Sequence, residues 1–342
     1  MPATLLDLVT SAFARGASDL HLEPLLPPAL RIDGRLHIAG PPATAALIEE
    51  MARSTLGGVG WERFCAEGSA DLSRAIAGVR CRINVLRTRR GIGMAVRLLP
   101  GEVPTLERSN LHPSFAQLAA LPHGLVLVSG PTGSGKSSTV AAIVQEINCS
   151  SARHVITLEA PVEHWFRPAR SFIRQREVGT DTDSFARGLR DALREDPDVL
   201  VVGELRDPET MRLTLDAAET GHLVLSTVHS GSVAEALQRV ISAHAPEARD
   251  GVRSQLAGCL AAVVCQRLVI PPGLDFPVPE CEVLRASDAM RSCIRADKLA
   301  QLATVLETGA DVGSFTRERY RRWVETGATL LRPSRAPSAE AE

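Results

Sequence analysis

The stretch LVLVSGPTGSGKSST, residues 125–139, constrains this chain more than any other. An apolar run leads into Gly130-Pro131-Thr132-Gly133-Ser134-Gly135-Lys136-Ser137, which fits the pattern G-x-x-x-x-G-K-[ST] with a helical pattern after it. Glycines at those positions let backbone N–H groups turn inward around phosphate oxygens, and the helix start adds its positive dipole end. In α/β sheets such a loop sits at the carboxyl end of a strand, where ligands bind. Lys136 sharpens the reading. The chain carries 38 basic residues, and only Lys136 and Lys298 are lysines. Arginine serves elsewhere, and a compact ammonium stands where a β/γ-phosphate has to be reached. Ser137 offers a hydroxyl to Mg²⁺, and Ser138 extends the cradle into the helix. ATP and Mg²⁺ are the expected cofactors.

The surrounding pattern agrees. Apolar runs at 125–130, 154–159, 199–205 and 222–229 alternate with amphipathic stretches at 184–196 and 208–221. That alternation predicts an α/β domain over 123–331, with a mostly parallel sheet covered on both faces. Beyond residue 251 the pattern reads as mainly helical. Residues 1–99 read as a smaller α+β domain. A first helix ends near Arg15-Gly16, DLHLEP (19–24) alternates like a strand, and Asp33-Gly34 signals a tight hairpin. A helical stretch near 43–56 follows, then two strands within 80–100. Residues 100–122, richer in Pro and polar side chains, read as an interdomain connection with a short helix inside it. The tail 332–342 lacks apolar residues and is expected to be disordered.

Charge and cysteine usage exclude several classes. A net charge of −2 gives no general attraction to nucleic acid, and none is expected as a partner. The seven cysteines are scattered and no two have CxxC spacing, which argues against a zinc site or a disulfide framework. The start lacks a signal-peptide pattern, and no stretch approaches the roughly 20 apolar residues of a membrane span. A cytoplasmic location is expected.

A phosphate cradle alone only binds; hydrolysis also needs carboxylates to orient water and organise the metal. DPDVLVVGELRD (196–207) is an apolar strand ending in Glu204. ITLEAPVEHWF (156–166) places Glu159 and Glu163 after another strand, and HLVLSTVH (222–229) adds Ser226, Thr227 and His229, with His222 at its start. Either histidine also reads as a satisfied core residue. RCRINVLRTRRGIGMAVR (80–97) concentrates arginines with no aromatic residue among them, a poor platform for nucleic acid.

Four blocks now stand in one order: GPTGSGKSST, EAPVEH, QREVGTDTDSFARGLRDALREDPDVLVVGELRDPET and AAETGHLVLSTVHS. Together they resemble the Walker A, Asp-box, Walker B and His-box of the secretion-type ATPases of type IV pili and type II secretion. The resemblance extends to ASDLHLEP, RIDGRL and IRADKLAQLATVLETG, and covers roughly residues 11–325. It implies a RecA-like P-loop ATPase domain preceded by a smaller α+β PAS-like domain, assembled as a homohexamer. It implies Glu163 as general base, Glu204 on Mg²⁺ with Ser137, and His229 as a sensor of the γ-phosphate, although the roles of Glu163 and Glu204 stay open to exchange. Arg82 and Arg97 match positions that approach the nucleotide to act in catalysis, and Arg90 matches one that binds it. One departure stands out: the family's Asp-box reads Glu-Asp-Pro, and this chain has Glu159-Ala160-Pro161.

Within the family, the short length and the absence of a tetracysteine insert resemble the retraction motors of twitching motility. The implied partners are an inner-membrane platform protein of the pilus machine, through which the chain would associate peripherally with the membrane, and a paralogous motor. Rival readings are an ATPase for pilus assembly or type II secretion, a weakly active regulatory paralogue, and a nucleic-acid translocase. ATP turnover separates a motor from a regulator, stimulation by DNA would point to the translocase, and pilus counts with motility in a deletion strain separate retraction from assembly.

Overall fold

The computed structural model describes residues 4–32, 34–99, 101, 103–326 and 329–332. Asp33, half of the expected hairpin signal, and residues 333–342 of the expected disordered tail lie outside them. The chain divides into two compact units, one built mainly from residues 1–102 and the other from 103–162 and 166–333, with Glu163–Trp165 belonging to the first.

The first unit holds an antiparallel sheet of β1 (Asp19–Leu22), β2 (Ala29–Ile32), β3 (Arg35–Ile38), β4 (Ser69–Ile76), β5 (Val79–Thr88) and β6 (Gly91–Leu98). Its order is β3-β2-β1-β6-β5-β4. The alternation along β5 drives its formation: Cys81, Ile83 and Val85 are fully buried while Arg82 and Asn84 face the other way. Leu20, Leu30, Met94 and Val96 join that buried face, and Val9, Ile48 and Phe64 from two helices cover it. The first helix, Leu5–Ala14, opens with a capping box between Thr4 and Asp7. The second stretch, Ala45–Glu67, is two helical pieces broken at Gly57, whose φ of 68° is not helical, so the first piece ends where the sequence predicts. The second piece, anchored by the buried Phe64, lies beyond the expected stretch. β4 escaped the sequence reading because its residues are exposed or half-buried and show no continuous apolar run.

The second unit is built on β7 (Gly124–Ser129), β8 (His154–Glu159), β9 (Phe172–Glu177), β10 (Val199–Val202), β11 (Leu223–Val228), β12 (Leu260–Val269) and β13 (Val278–Arg285). Their order is β13-β12-β7-β11-β10-β8-β9, parallel except for the antiparallel edge strand β13. β7 shows why the central strands are apolar throughout. Leu125 and Leu127 enter one core, Val126 and Val128 the other, so both faces of the sheet are covered.

Two expectations change here. The region after 251 has more helices than strands, as expected, but it is not helical throughout: β12 and β13 follow the helix Arg249–Cys259 and complete the sheet beside β7. The apolar run at 260–265 has no period that separates strand from helix, so only pairing with β7 decides it. Of the expected connection 100–122, Leu106, Leu111, Phe115 and Leu118 are buried in the second unit's core, and the short helix Ala116–Ala119 lies in it. A stretch with buried anchors at that density is a packed part of the domain.

Candidate nucleotide-binding site

The cradle lies where β7 meets the helix Lys136–Ser150. Gly130 has a φ of 153°, and a Cβ there would stand 2.2 Å from the carbonyl oxygen of Gln266, so only glycine fits. Gly135, at φ 84°, occupies the left-handed region at the helix N-cap. Pro131, Thr132 and Gly133 form the exposed crest, while Ser134 is buried. The helix N-terminus therefore opens toward an exposed loop of backbone, the arrangement that binds phosphate.

Lys136 is buried, and its Nζ donates to the carbonyl oxygens of Gly130 and Pro131, each at 2.9 Å. The ammonium is thus folded into the loop that it serves. Ser137 is exposed and Ser138 half-buried at the start of the helix.

His229 follows β11, the strand beside β7, and Glu204 follows β10, the next strand out, so both lie at the carboxyl ends of the strands that neighbour the cradle's own. His229 Nε2 lies 3.7 Å from Glu204 Oε2, and Arg206 pairs with the other carboxylate oxygen. Burial, reinforced by the charge of Lys136, holds the His229 pKa below its ordinary value despite the opposing pull of Glu204. The imidazole is accordingly neutral at neutral pH. Ser226 and Thr227 act as clasps: their hydroxyls donate to the carbonyls of Val202 and Gly203 at 2.6 and 2.7 Å, fixing β11 to the chain just before Glu204. His222 is at the opposite, amino end of β11, where its Nδ1 meets the Ala217 carbonyl at 2.9 Å. Of the two histidines weighed from sequence, only His229 is at the strand ends that carry Lys136 and Glu204.

Glu159 closes β8 and accepts hydrogen bonds from Thr157 Oγ1 at 2.6 Å and Gln175 Nε2 at 3.3 Å. Glu163 is half-buried in the short segment that groups with the first unit. Arg82 and Arg97 are cross-strand neighbours on β5 and β6, paired with Asp71 at 2.7 Å and Asp19 at 2.9 Å. Arg90 is exposed in the turn between those strands, its backbone N–H donating to Thr88 Oγ1.

Sequence reasoning missed Gln266, a β12 residue buried to 2% exposure that bonds to the cradle from the side. The available signal was a lone amide inside an apolar run, and the helical reading of that run hid it.

Comparison with known proteins completes the picture. A family model described as Type II/IV secretion system protein matches residues 2–308. The chain is 39% identical over 312 residues to the type IV pilus retractation ATPase PilT of Pseudomonas aeruginosa, spanning 91% of this chain and 90% of that one. It is 38% identical over 294 residues to a twitching motility protein of Neisseria gonorrhoeae, spanning 85% and 79% respectively. Against the crystal structure of the pilus retraction motor PilT with bound ADP, the TM-score is 0.84 at 37% identity, over 94% of this chain and 96% of that one. With its mixed α/β fold and a RecA-like sheet carrying the phosphate cradle, the chain belongs to the type II/IV secretion system protein family.

Proposed function

We propose that this chain is an ATP-hydrolysing motor subunit that works as a homohexamer to retract type IV pili. The observation that carries the reading is the convergence of the Lys136 loop, Glu204 and His229 on the carboxyl ends of three neighbouring strands. Relatives of matching length named for retraction and twitching motility support the direction of the work.

On binding ATP, Lys136 exchanges its two carbonyl partners for phosphate oxygens, while the loop N–H groups hold the phosphate chain. The Ser137 hydroxyl and the Glu204 carboxylate are hard oxygen donors, the kind that suits Mg²⁺. That metal, when bound, neutralises charge that builds on the phosphates. Glu163 takes the proton of the attacking water and Glu204 organises the metal side; exchanged roles are the alternative. His229, kept neutral, reports on the γ-phosphate. Arg82, Arg90 and Arg97 provide cations for the charge that develops on the phosphates. The first domain, residues 1–99, is the PAS-like module, and 123–331, together with the packed stretch that precedes it, is the motor domain.

No helix among the described residues is long and apolar enough to cross a membrane. The chain meets the inner membrane peripherally, from the cytoplasm, through a platform protein of the pilus machine. Two measurements test this function. Purified chain should hydrolyse ATP, and Lys136→Ala should abolish turnover while assembly survives; normal turnover in that variant sinks the cradle assignment. A deletion strain should carry excess immobile pili. Bald cells would instead mean assembly, and normal twitching would remove the chain from pilus work.

A further inference from the structure

Gln266 makes more contacts to the phosphate loop than any motif residue predicts. Its Nε2 donates to the Ser134 carbonyl at 2.6 Å, inside the loop. Its Oε1 accepts from Thr139 Oγ1 at 2.6 Å, in the first turn of the following helix. Its backbone carbonyl is the group that makes Gly130 obligatory, at the loop's other end. One residue of β12 therefore touches the loop at its start, its middle and the helix behind it. Gln266 and Thr139 are 2% and 1% exposed, so neither bond competes with water.

The brace is itself anchored. The next residue, Arg267, pairs with Glu280 across the β12–β13 ladder at 2.5 Å, and Glu280 also holds Arg321 at 2.6 Å. Glu280 is 1% exposed, which makes this two-arginine clamp costly to slide. Besides the Lys136 bonds to the Gly130 and Pro131 carbonyls, which ATP would displace, the loop crest is lightly held: Pro131, Thr132 and Gly133 are exposed, and the Ser134 N–H makes a long 3.3 Å bond to Pro131.

We propose that Gln266 is a positioning residue for phosphoryl transfer: it holds the Ser134 carbonyl and the Thr139 hydroxyl so that the loop amides are aimed before the nucleotide arrives. This rests on the ATPase reading above. Bound phosphates can order a loose loop in the ground state, because binding tolerates small displacements. The transition state is less tolerant, since donors must already point to where charge develops, and a misplacement of about 1 Å costs roughly 10²-fold in rate. Loss of the brace should therefore appear in kcat more than in affinity.

The test uses the assembled chain with Gln266→Met, which keeps length and volume but removes the bonds to Ser134 and Thr139, along with the weak one from Cys281 Sγ. Parental protein that fails to hydrolyse ATP would refute the ATPase reading itself and, with it, any role in phosphoryl transfer. Given parental turnover, the expected result is a kcat lower by about 10²-fold, with the dissociation constant for ADP changed less than about threefold. Amide hydrogen exchange should accelerate at Ser134–Thr139 and stay unchanged along β12 and β13, which a merely structural role would not produce. Parental kcat, or equal losses in kcat and ADP affinity, overturns the proposal. If Gln266→Met does not fold, Thr139→Val removes one of the two bonds at nearly constant shape. It should give a milder form of the same split, and parental kcat there overturns the proposal equally.

Discussion

Arg82 and Arg97 stand directly opposite each other on β5 and β6, two like charges that the sheet tolerates because each has a carboxylate at its side. Like charges in directly opposed positions are destabilising. Asp19 bonds Arg97 at 2.9 Å, and Asp71 bonds Arg82 at 2.7 Å. Asp19 is itself a cross-strand neighbour of both Arg97 and Arg31, so it lies between two cations. Burial pushes its pKa up, but hydrogen bonds from Ser18 and Arg97 outweigh that, and the net direction is down.

Asp19→Asn is therefore expected to destabilise the first domain by about 1 kcal/mol at neutral pH, discounted for the exposure of Arg97. The folded pKa lies below the ordinary 3.8. The contribution is then present in full above that value and is lost as pH falls through the folded pKa. Urea midpoints of parent and variant should differ at pH 7 and merge in acid. A constant difference at both pH values would refute the electrostatic account.

The contact between His229 and Glu204 leads to a second expectation. Glu204→Gln and Glu163→Gln each leave the loop and Lys136 intact, so ATP binding should persist. Turnover should fall by about 10²–10⁴-fold for whichever residue transfers the proton. The residue that organises the metal should also be needed for turnover; if Glu163→Gln turns over at the parental rate, the base lies elsewhere.

Those two carboxylates also show which parts of the molecule can be read before its coordinates. β7, β8, β10 and β11 are apolar on both faces and end in chemistry-bearing residues, so pattern and motif coincide at Lys136, Glu204 and His229. β9 is legible only through its pairing with β8, because Phe172–Glu177 alternates polar residues on both sides. β12 is hidden for the opposite reason, being apolar without a period. Gln266 goes unread with it, because a brace acts through tertiary proximity to Ser134 and Thr139, more than 120 residues away in the chain. Arg82 and Arg97 were found as a charged cluster, but their pairing with Asp71 and Asp19 depends on strand register, which residue spacing does not reveal.

Ala160 gives the third prediction. It follows β8 directly and is exposed, so a carboxylate placed there needs no buried partner. If the missing acid limits water or metal organisation, Ala160→Asp should raise turnover several-fold with ATP affinity nearly constant, an effect of about 1 kcal/mol on the barrier. An unchanged or lower rate would mean that the neighbouring Glu159, already held by Thr157 and Gln175, serves without it.

The arginines return in the last prediction. Arg82 and Arg97 keep 40% and 63% of their side-chain surface exposed, so releasing Asp71 and Asp19 to meet a nucleotide costs little. Arg82→Ala or Arg97→Ala should lower turnover more than ATP binding, because loop amides, Lys136 and Mg²⁺ already hold the ground state. The transition state should suffer, since charge moving to the leaving oxygen loses a preorganised cation. Lysine should rescue poorly, lacking the planar fork. The decisive measurement mixes arginine-less subunits with subunits carrying Lys136→Ala. If an arginine acts across a subunit boundary, some mixed hexamers set an intact cradle beside an intact neighbour, and activity returns. If mixing restores nothing while each variant assembles normally, the arginines act within their own chain or only structurally.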